Sequence, residues 1–275
     1  MKLLSVNDLS LQNEGYFAFK HVAFSLSQNE IIGINGDNGS GKSQLLGAIA
    51  DYRKPDSGEI GYTPGVRIGY LPQDDPQVIE QKMGKYLEDI RRLSGKLAVR
   101  KEQLQGMITF LGMTPYIDRS VQQLSIGLQQ RVAFLAAVAG HPNVLLLDEP
   151  FAFQNNKSTL NMLDLLQDLR DNGSGIIITS TQFNSEINQY FDTEYLLKDH
   201  TLSKISRTKD TTVESLLIFS VHPNSIAITK ELNQYITANV NNLIEMKVPV
   251  AQKSVITKKM VALNYKFEEV RNIEN

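Results

Sequence analysis

The chain has 275 residues, with 28 Lys and Arg against 30 Asp and Glu, so its formal charge of −2 gives no general pull toward nucleic acid, and none is expected as a partner. Apolar residues at 41% together with 18 glycines describe an ordinary folded protein and exclude a disordered one. Cysteine is absent, which excludes a disulfide framework and thiolate metal sites and fits a reducing interior.

Alternating apolar positions predict strands over Val6 to Ser10 and Phe17 to Leu26, an antiparallel lobe leading into a buried strand, Glu30 to Asn35. After a turn at Pro55-Asp56-Ser57-Gly58-Glu59, Val66 to Leu71 reads as a short strand that ends at Pro72-Gln73. From Val78 to about Tyr116 apolar residues recur at three and four, and a second helical run after Ser125 stops at His141-Pro142-Asn143; a helical subdomain of about 74–140 is predicted. The continuous run Val144-Leu145-Leu146-Leu147 suits a parallel strand buried on both faces. A helix from Lys157 to Arg170, the turn Asp171 to Gly175 and a strand from Ile176 to Thr179 repeat the strand-helix-strand rhythm. This core is expected to close near 202–206, giving a principal domain of 1–210 and a small C-terminal extension of 211–275. Within the extension, Leu216 to Val221 and Leu243 to Phe267 read as strand-rich, with a helix from Lys230 to about Val240. The longest apolar candidate for a membrane span, 132–140, is far short of the roughly 20 residues a crossing requires. The opening Met1-Lys2-Leu3-Leu4-Ser5-Val6-Asn7-Asp8 turns polar without a signal-like apolar core. A cytoplasmic location is therefore expected, with any membrane role exercised through a partner.

Chemistry concentrates first at Gly36-Asp37-Asn38-Gly39-Ser40-Gly41-Lys42-Ser43, set between the strand Glu30 to Asn35 and a helix that begins near Lys42 with Gln44 in its first turn. Three glycines let backbone N–H groups turn inward where the following helix dipole is positive, which makes a cradle for a triphosphate. Lys42 is expected to reach the β- and γ-phosphates of ATP as a point charge, and Ser43 to complete the oxygen shell of a Mg²⁺. A second group lies 106 residues after Lys42, where Leu145-Leu146-Leu147 delivers Asp148, Glu149 and Pro150 at the carboxyl end of a strand, the edge at which ligands of open α/β sheets collect. Asp148 is a candidate for the Mg²⁺ shell, and Glu149 for polarising a water that attacks the γ-phosphorus.

Gln123-Leu124-Ser125-Ile126-Gly127-Leu128-Gln129-Gln130-Arg131-Val132, with Arg131 placed 17 residues before Asp148, resembles the signature motif of ATP-binding cassette (ABC) ATPases. The resemblance covers about 2–205 and implies an α/β fold: a P-loop NTPase core of mixed sheet and flanking helices, an antiparallel β lobe, a helical subdomain and here a small C-terminal α+β extension. It also implies that Ser125 and Gly127, at a helix start, bind the γ-phosphate of ATP held by a second copy or a homologous ATPase subunit, so that two chains enclose two nucleotides. Gln73 matches the family's Q-loop, which touches Mg²⁺ or water and the transmembrane permease. Four positions depart from the family pattern: Ile126 and Leu128 replace a glycine and a glutamine of the signature, Asn155 stands where the D-loop ends in aspartate, and Gln182, with Thr181 one place off, stands where the H-loop has histidine. Glutamine can hydrogen-bond a γ-phosphate but cannot exchange a proton with it, so slow turnover is expected. The aromatic that stacks on adenine falls by register on Asn13, with Tyr16 or Phe17 as substitutes.

Tyr86 to Gly95 and the signature phrase resemble the bacterial exporter branch that handles drugs, antimicrobial peptides, lantibiotics and polysaccharides. The resulting expectation is an ATP-hydrolysing subunit, peripheral on the inner face of the membrane, that drives a permease docked near Gln73 and residues up to Leu93. The alternatives are an importer ATPase with a regulatory C-terminal domain, a nucleotide-binding module with little hydrolysis, and an ABC protein that acts on ribosomes or DNA.

Overall fold

Helix α1 (Lys42–Ile49) is the centre of the larger unit, because residues on all sides of it are buried: Leu45, Leu46, Gly47, Ala48 and Ile49. In the computed structural model, which describes residues 1–73, 79–181, 183–205, 214–240, 242–249 and 252–273, two sheets enclose this helix. One is antiparallel and pairs β1 (Lys2–Asn13) with β2 (Tyr16–Ser27) on one side and β4 (Ser57–Tyr62) on the other. Both long strands extend beyond their predicted ends, because the hairpin at Gly15 and register shifts at several positions let pairing continue from Lys2↔Ser27 to Asn13↔Tyr16.

The second sheet has the order β5-β6-β7-β3-β8-β9, built from β3 (Ile31–Asn35), β5 (Ile68–Leu71), β6 (Val144–Asp148), β7 (Gly175–Ser180), β8 (Thr193–Lys198) and β9 (Thr201–Lys204). All neighbours run parallel except the β8–β9 pair. Every residue of β6 is buried, as its unbroken apolar run requires for a strand covered on both faces. Leu3, Leu4, Val6, Phe19 and Leu26 of the antiparallel lobe share one core with Ile32, Ile34, Leu45, Leu46, Leu146 and Ile177. Between β5 and β6 come α2 (Met83–Leu93), α3 (Lys101–Phe110) and α4 (Ile126–Ala139), so the predicted helical region is three helices joined by short 3₁₀ turns. Helix α5 (Asn156–Asp171) then links β6 to β7.

The chain divides into two units, one comprising residues 1–183 and 191–206, the other 184–190 and 207–275. The second unit includes the one-turn α6 (Ser185–Asn188) and a four-stranded antiparallel sheet of its own. Its elements are β10 (Glu214–Ser220), α7 (Lys230–Asn233), β11 (Ile236–Val240), β12 (Leu243–Pro249), α8 (Lys253–Ala262) and β13 (Lys266–Ile273). The succession strand-helix-strand-strand-helix-strand with sheet order β11-β12-β10-β13 is the ferredoxin-like arrangement. Two expectations are corrected here. The helix read over Lys230 to Val240 lasts one turn, because Ile236 and Val240 enter a strand paired to Met246 and Leu243. The stretch from Leu243 to Phe267 contains α8, whose Ile256 and Met260, four apart, point into the core with Leu217, Phe219, Ile244 and Met246. Among the described residues no helix is long and apolar enough to cross a membrane.

Candidate functional site

Residues 36–41 connect β3 to α1 at the carboxyl end of the parallel sheet, the edge at which such folds gather ligands. Gly41 adopts a φ of 103°, and a Cβ there would lie 2.4 Å from the Ala18 carbonyl oxygen, so the turn into α1 requires glycine. Gly36 is buried, Asp37, Asn38 and Gly39 are exposed, and Ser40, Ser43 and Gln44 are half-buried. Lys42 is only 6% exposed, and its Nζ donates to the carbonyls of Gly36 at 2.7 Å and Asp37 at 3.0 Å. The ammonium is thus held inside the curl of its own loop.

The strand β6 brings the two predicted acids to the same place. Glu149 lies 3.8 Å from Lys42 Nζ through its Oε1, with both side chains largely buried. Burial foremost pushes the Glu149 carboxyl above its usual range, the Asp148 charge adds to this, and Lys42, the Ser180 side chain and the Thr181 backbone pull the other way. Its backbone takes a left-handed φ of 49°, an uncommon state for a residue with a Cβ. Asp148 is fully buried, receives a hydrogen bond from Thr179 at 2.5 Å on Oδ1, and keeps Oδ2 buried without a protein partner. Its charge, after burial, also helps to hold the Tyr70 phenol up at about 12.

Ser43 Oγ donates to Gln73 Oε1 at 3.2 Å, so the two remaining cation candidates also meet. The fit to a divalent cation is good: the donor set is all oxygen, and one carboxylate oxygen is buried and unpartnered, a state that costs free energy until an ion or donor arrives. Among the described residues no cluster of three His, Cys, Asp or Glu could hold a metal by itself.

The signature residues form a separate patch at the start of α4. Ser125 is its N-cap residue, and Ile126 beside it is 59% exposed. A Cβ on Gly127 would fall 2.5 Å from the Phe153 carbonyl oxygen, so glycine allows α4 to approach the loop that follows β6. Gln154 ties the two together: its Nε2 donates to the Gly127 carbonyl at 2.8 Å, and its Oε1 accepts from Arg131 Nε at 2.9 Å. None of the described hydrogen bonds joins Ser125 or Gly127 to residues 36–44. Asn155 caps α5 by accepting from the Ser158 N–H at 2.9 Å. Tyr16, one of the two aromatic candidates, is 80% exposed, and Phe17 has Lys20 Nζ 6.0 Å from its ring centre. Gln182 lies outside the described residues. The sequence reading missed Thr179, Ser180 and Gln154; a threonine ending the run Ile176-Ile177-Ile178 was the one available signal, since a buried hydroxyl needs a partner.

The profile described as ABC transporter matches residues 19–152. A probable ABC transporter ATP-binding protein of Cyanophora paradoxa is 33% identical over 224 residues, covering 76% of this chain and 90% of that protein. The chain belongs to the ABC transporter ATP-binding family. Among its relatives in the family, the zinc import ATP-binding protein ZnuC of Rhizobium etli is 31% identical over 180 residues, which cover 65% of this chain and 56% of that protein. The ZnuC of Jannaschia sp. is 30% identical over 191 residues, 67% of this chain and 74% of the relative. The chain thus spans little more than half the length of several ZnuC relatives that it matches. Solved ABC cassettes share the fold: an ATP-binding subunit of an ABC transporter superposes with a TM-score of 0.66 at 20% identity over 74% of this chain and 90% of that one. The dimeric bacterial cassette MJ0796 gives 0.65 at 21% identity, covering 74% of this chain and all of that one.

Proposed function

We propose that this chain is the ATP-binding and ATP-hydrolysing subunit of an ABC importer, dimerising around two ATP to drive a separate transmembrane permease from the cytoplasmic face of the membrane. The observation that supports it is the meeting of Lys42, Asp148 and Glu149 at one sheet edge, with a buried carboxylate oxygen left unpartnered. In this reading, amides of Gly36, Asp37, Asn38, Gly39, Ser40 and Gly41 cradle the phosphates, and Lys42 exchanges its carbonyl partners for β- and γ-phosphate oxygens. Gln44 adds an amide of the first helical turn. Ser43, Gln73 and Asp148 would hold Mg²⁺, which would supply positive charge against the phosphates. Glu149, beside Lys42, orients the attacking water and accepts its proton, a role suited by a carboxyl whose burial makes it more basic. Gln182 hydrogen-bonds the γ-phosphate. Ser125 and Gly127 of a second copy close over it, since a helix start with free N–H groups favours an anion.

Uptake rather than export is the direction we favour, because the two ZnuC relatives reported above are named for zinc import. A C-terminal unit with its own core suits the importer reading, in which it is an added regulatory domain. The permease element would enter a groove of 510 Å³ between the parallel sheet and the helical subdomain, lined by Ile68, Tyr70, Tyr86, Ile90 and Ala136. The deciding experiment follows phosphate release from Mg²⁺-ATP by the purified chain and by Glu149→Gln. Release by the native chain that falls by about a hundredfold or more in the variant supports the enzyme; ATP binding with no release from either leaves a nucleotide-binding module instead. Reconstituting the chain with the permease that co-purifies from membranes, and finding cargo moved outward, would overturn the importer reading.

A further inference from the structure

Strand β7 is aliphatic until it reaches Thr179 and Ser180, and the sheet register sets Thr179 directly across from Asp148. Thr179 has no exposed surface. Its Oγ1 donates to Asp148 Oδ1 at 2.5 Å and accepts from the Glu149 N–H at 3.3 Å. A hydroxyl carries one proton, so donation to the carboxylate leaves the Leu147 carbonyl, at 3.5 Å, without it. The Glu149 N–H also donates to the Thr179 carbonyl at 3.2 Å, so what the hydroxyl alone supplies is its hold on the Asp148 side chain, beside the left-handed turn at Glu149. Ser180, next in the strand, hydrogen-bonds the Glu149 carboxyl itself.

We propose that Thr179 is a positioning residue for nucleotide-bound Mg²⁺, holding Asp148 by Oδ1 so that the unpartnered Oδ2 is the oxygen offered to the cation. Packing alone would be met equally well by valine, which has the same branched shape and strand preference but no hydroxyl. Groups that orient a metal ligand through hydrogen bonds change metal affinity by roughly ten- to a hundredfold when removed. The inference rests on the reading of Asp148 as part of the Mg²⁺ shell.

The test is calorimetric ATP binding by the full chain and by Thr179→Val and Thr179→Ser, first with chelator and then as Mg²⁺ is added back. All three are expected to bind ATP alike without Mg²⁺, while the Mg²⁺ concentration that half-saturates the ATP-bound protein rises by roughly tenfold in the valine variant and stays near native in the serine variant. Equal Mg²⁺ requirements in native and valine forms would overturn the proposal, as would equal impairment of valine and serine, which would trace the effect to the lost methyl. Should the valine variant not fold, Thr179→Ala is compared with Thr179→Ser by the same criterion. A native chain that binds no nucleotide would overturn the underlying reading of the site instead.

Discussion

The two units are built with equal care for their cores but differ in what they leave unpartnered. In the larger one, the carboxyl ends of β3, β6 and β7 bring a buried ammonium, two carboxyls and a buried hydroxyl within hydrogen-bonding or ionic reach, and an oxygen of Asp148 has no protein partner. In the C-terminal unit, Leu217, Phe219, Leu232, Ile244, Met246, Val248, Ile256 and Met260 pack with Tyr265 in an apolar cluster, and among the described residues of that unit no Asp, Glu, Lys, Arg or His is buried. A fold is maintained in both. Polar groups buried at a cost in stability, which point to chemistry, are concentrated in the first.

The sharpest way to break this contrast is Lys42→Ala. Removing the ammonium leaves the phosphate charge without its buried counter-ion, so ATP affinity should fall by two orders of magnitude or more, about 3 kcal/mol for a charged hydrogen-bonded pair. Undiminished affinity by calorimetry would show that nucleotide binds elsewhere. Phe219→Ala probes the other side: the ring is fully buried and packs edge-on against Phe267 at 5.6 Å, so its loss should cost the C-terminal unit about 3–5 kcal/mol in a urea titration. If the units are as distinct in purpose as their interiors imply, Mg²⁺-ATP affinity stays native in this variant; a large drop would mean that they are coupled.

The smallest expected effect concerns the sign of the Glu149 shift. Its carboxyl is raised in the folded chain, so its link to stability is fully favourable below the ordinary carboxylate pKa of about 4.3 and is lost as pH rises through the higher folded value. Glu149→Gln, always neutral, should therefore melt at a higher temperature than the native chain at pH 7 to 8, and the two should converge in acid. A variant no more stable at neutral pH would contradict the direction of the shift. The acid limb of the native phosphate-release profile should likewise lie above the ordinary carboxylate range.

The loop at 36–43 was legible from sequence because its chemistry is local: a few glycines, a lysine and a serine at fixed spacing need no knowledge of the rest of the fold. Asp148 and Glu149 were legible because a buried strand announces itself by an unbroken apolar run. Thr179 and Ser180 were not, since what a strand residue touches depends on which strand lies beside it and in what register, and the partners here are about 30 residues apart in sequence. The Lys230 to Val240 misreading has a similar origin. Ile236 and Val240 sit at helical spacing, and only pairing with β12 decides that they belong to a strand.

The grip of two backbone carbonyls on Lys42 means that its charge has already been stripped of bulk solvent before any guest arrives. An incoming polyphosphate need only offer better oxygens than Gly36 and Asp37 do. Loading then amounts to a change of acceptor at a preshaped seat, and the speed of nucleotide capture should be set by diffusion and orientation instead of by the loop learning its shape.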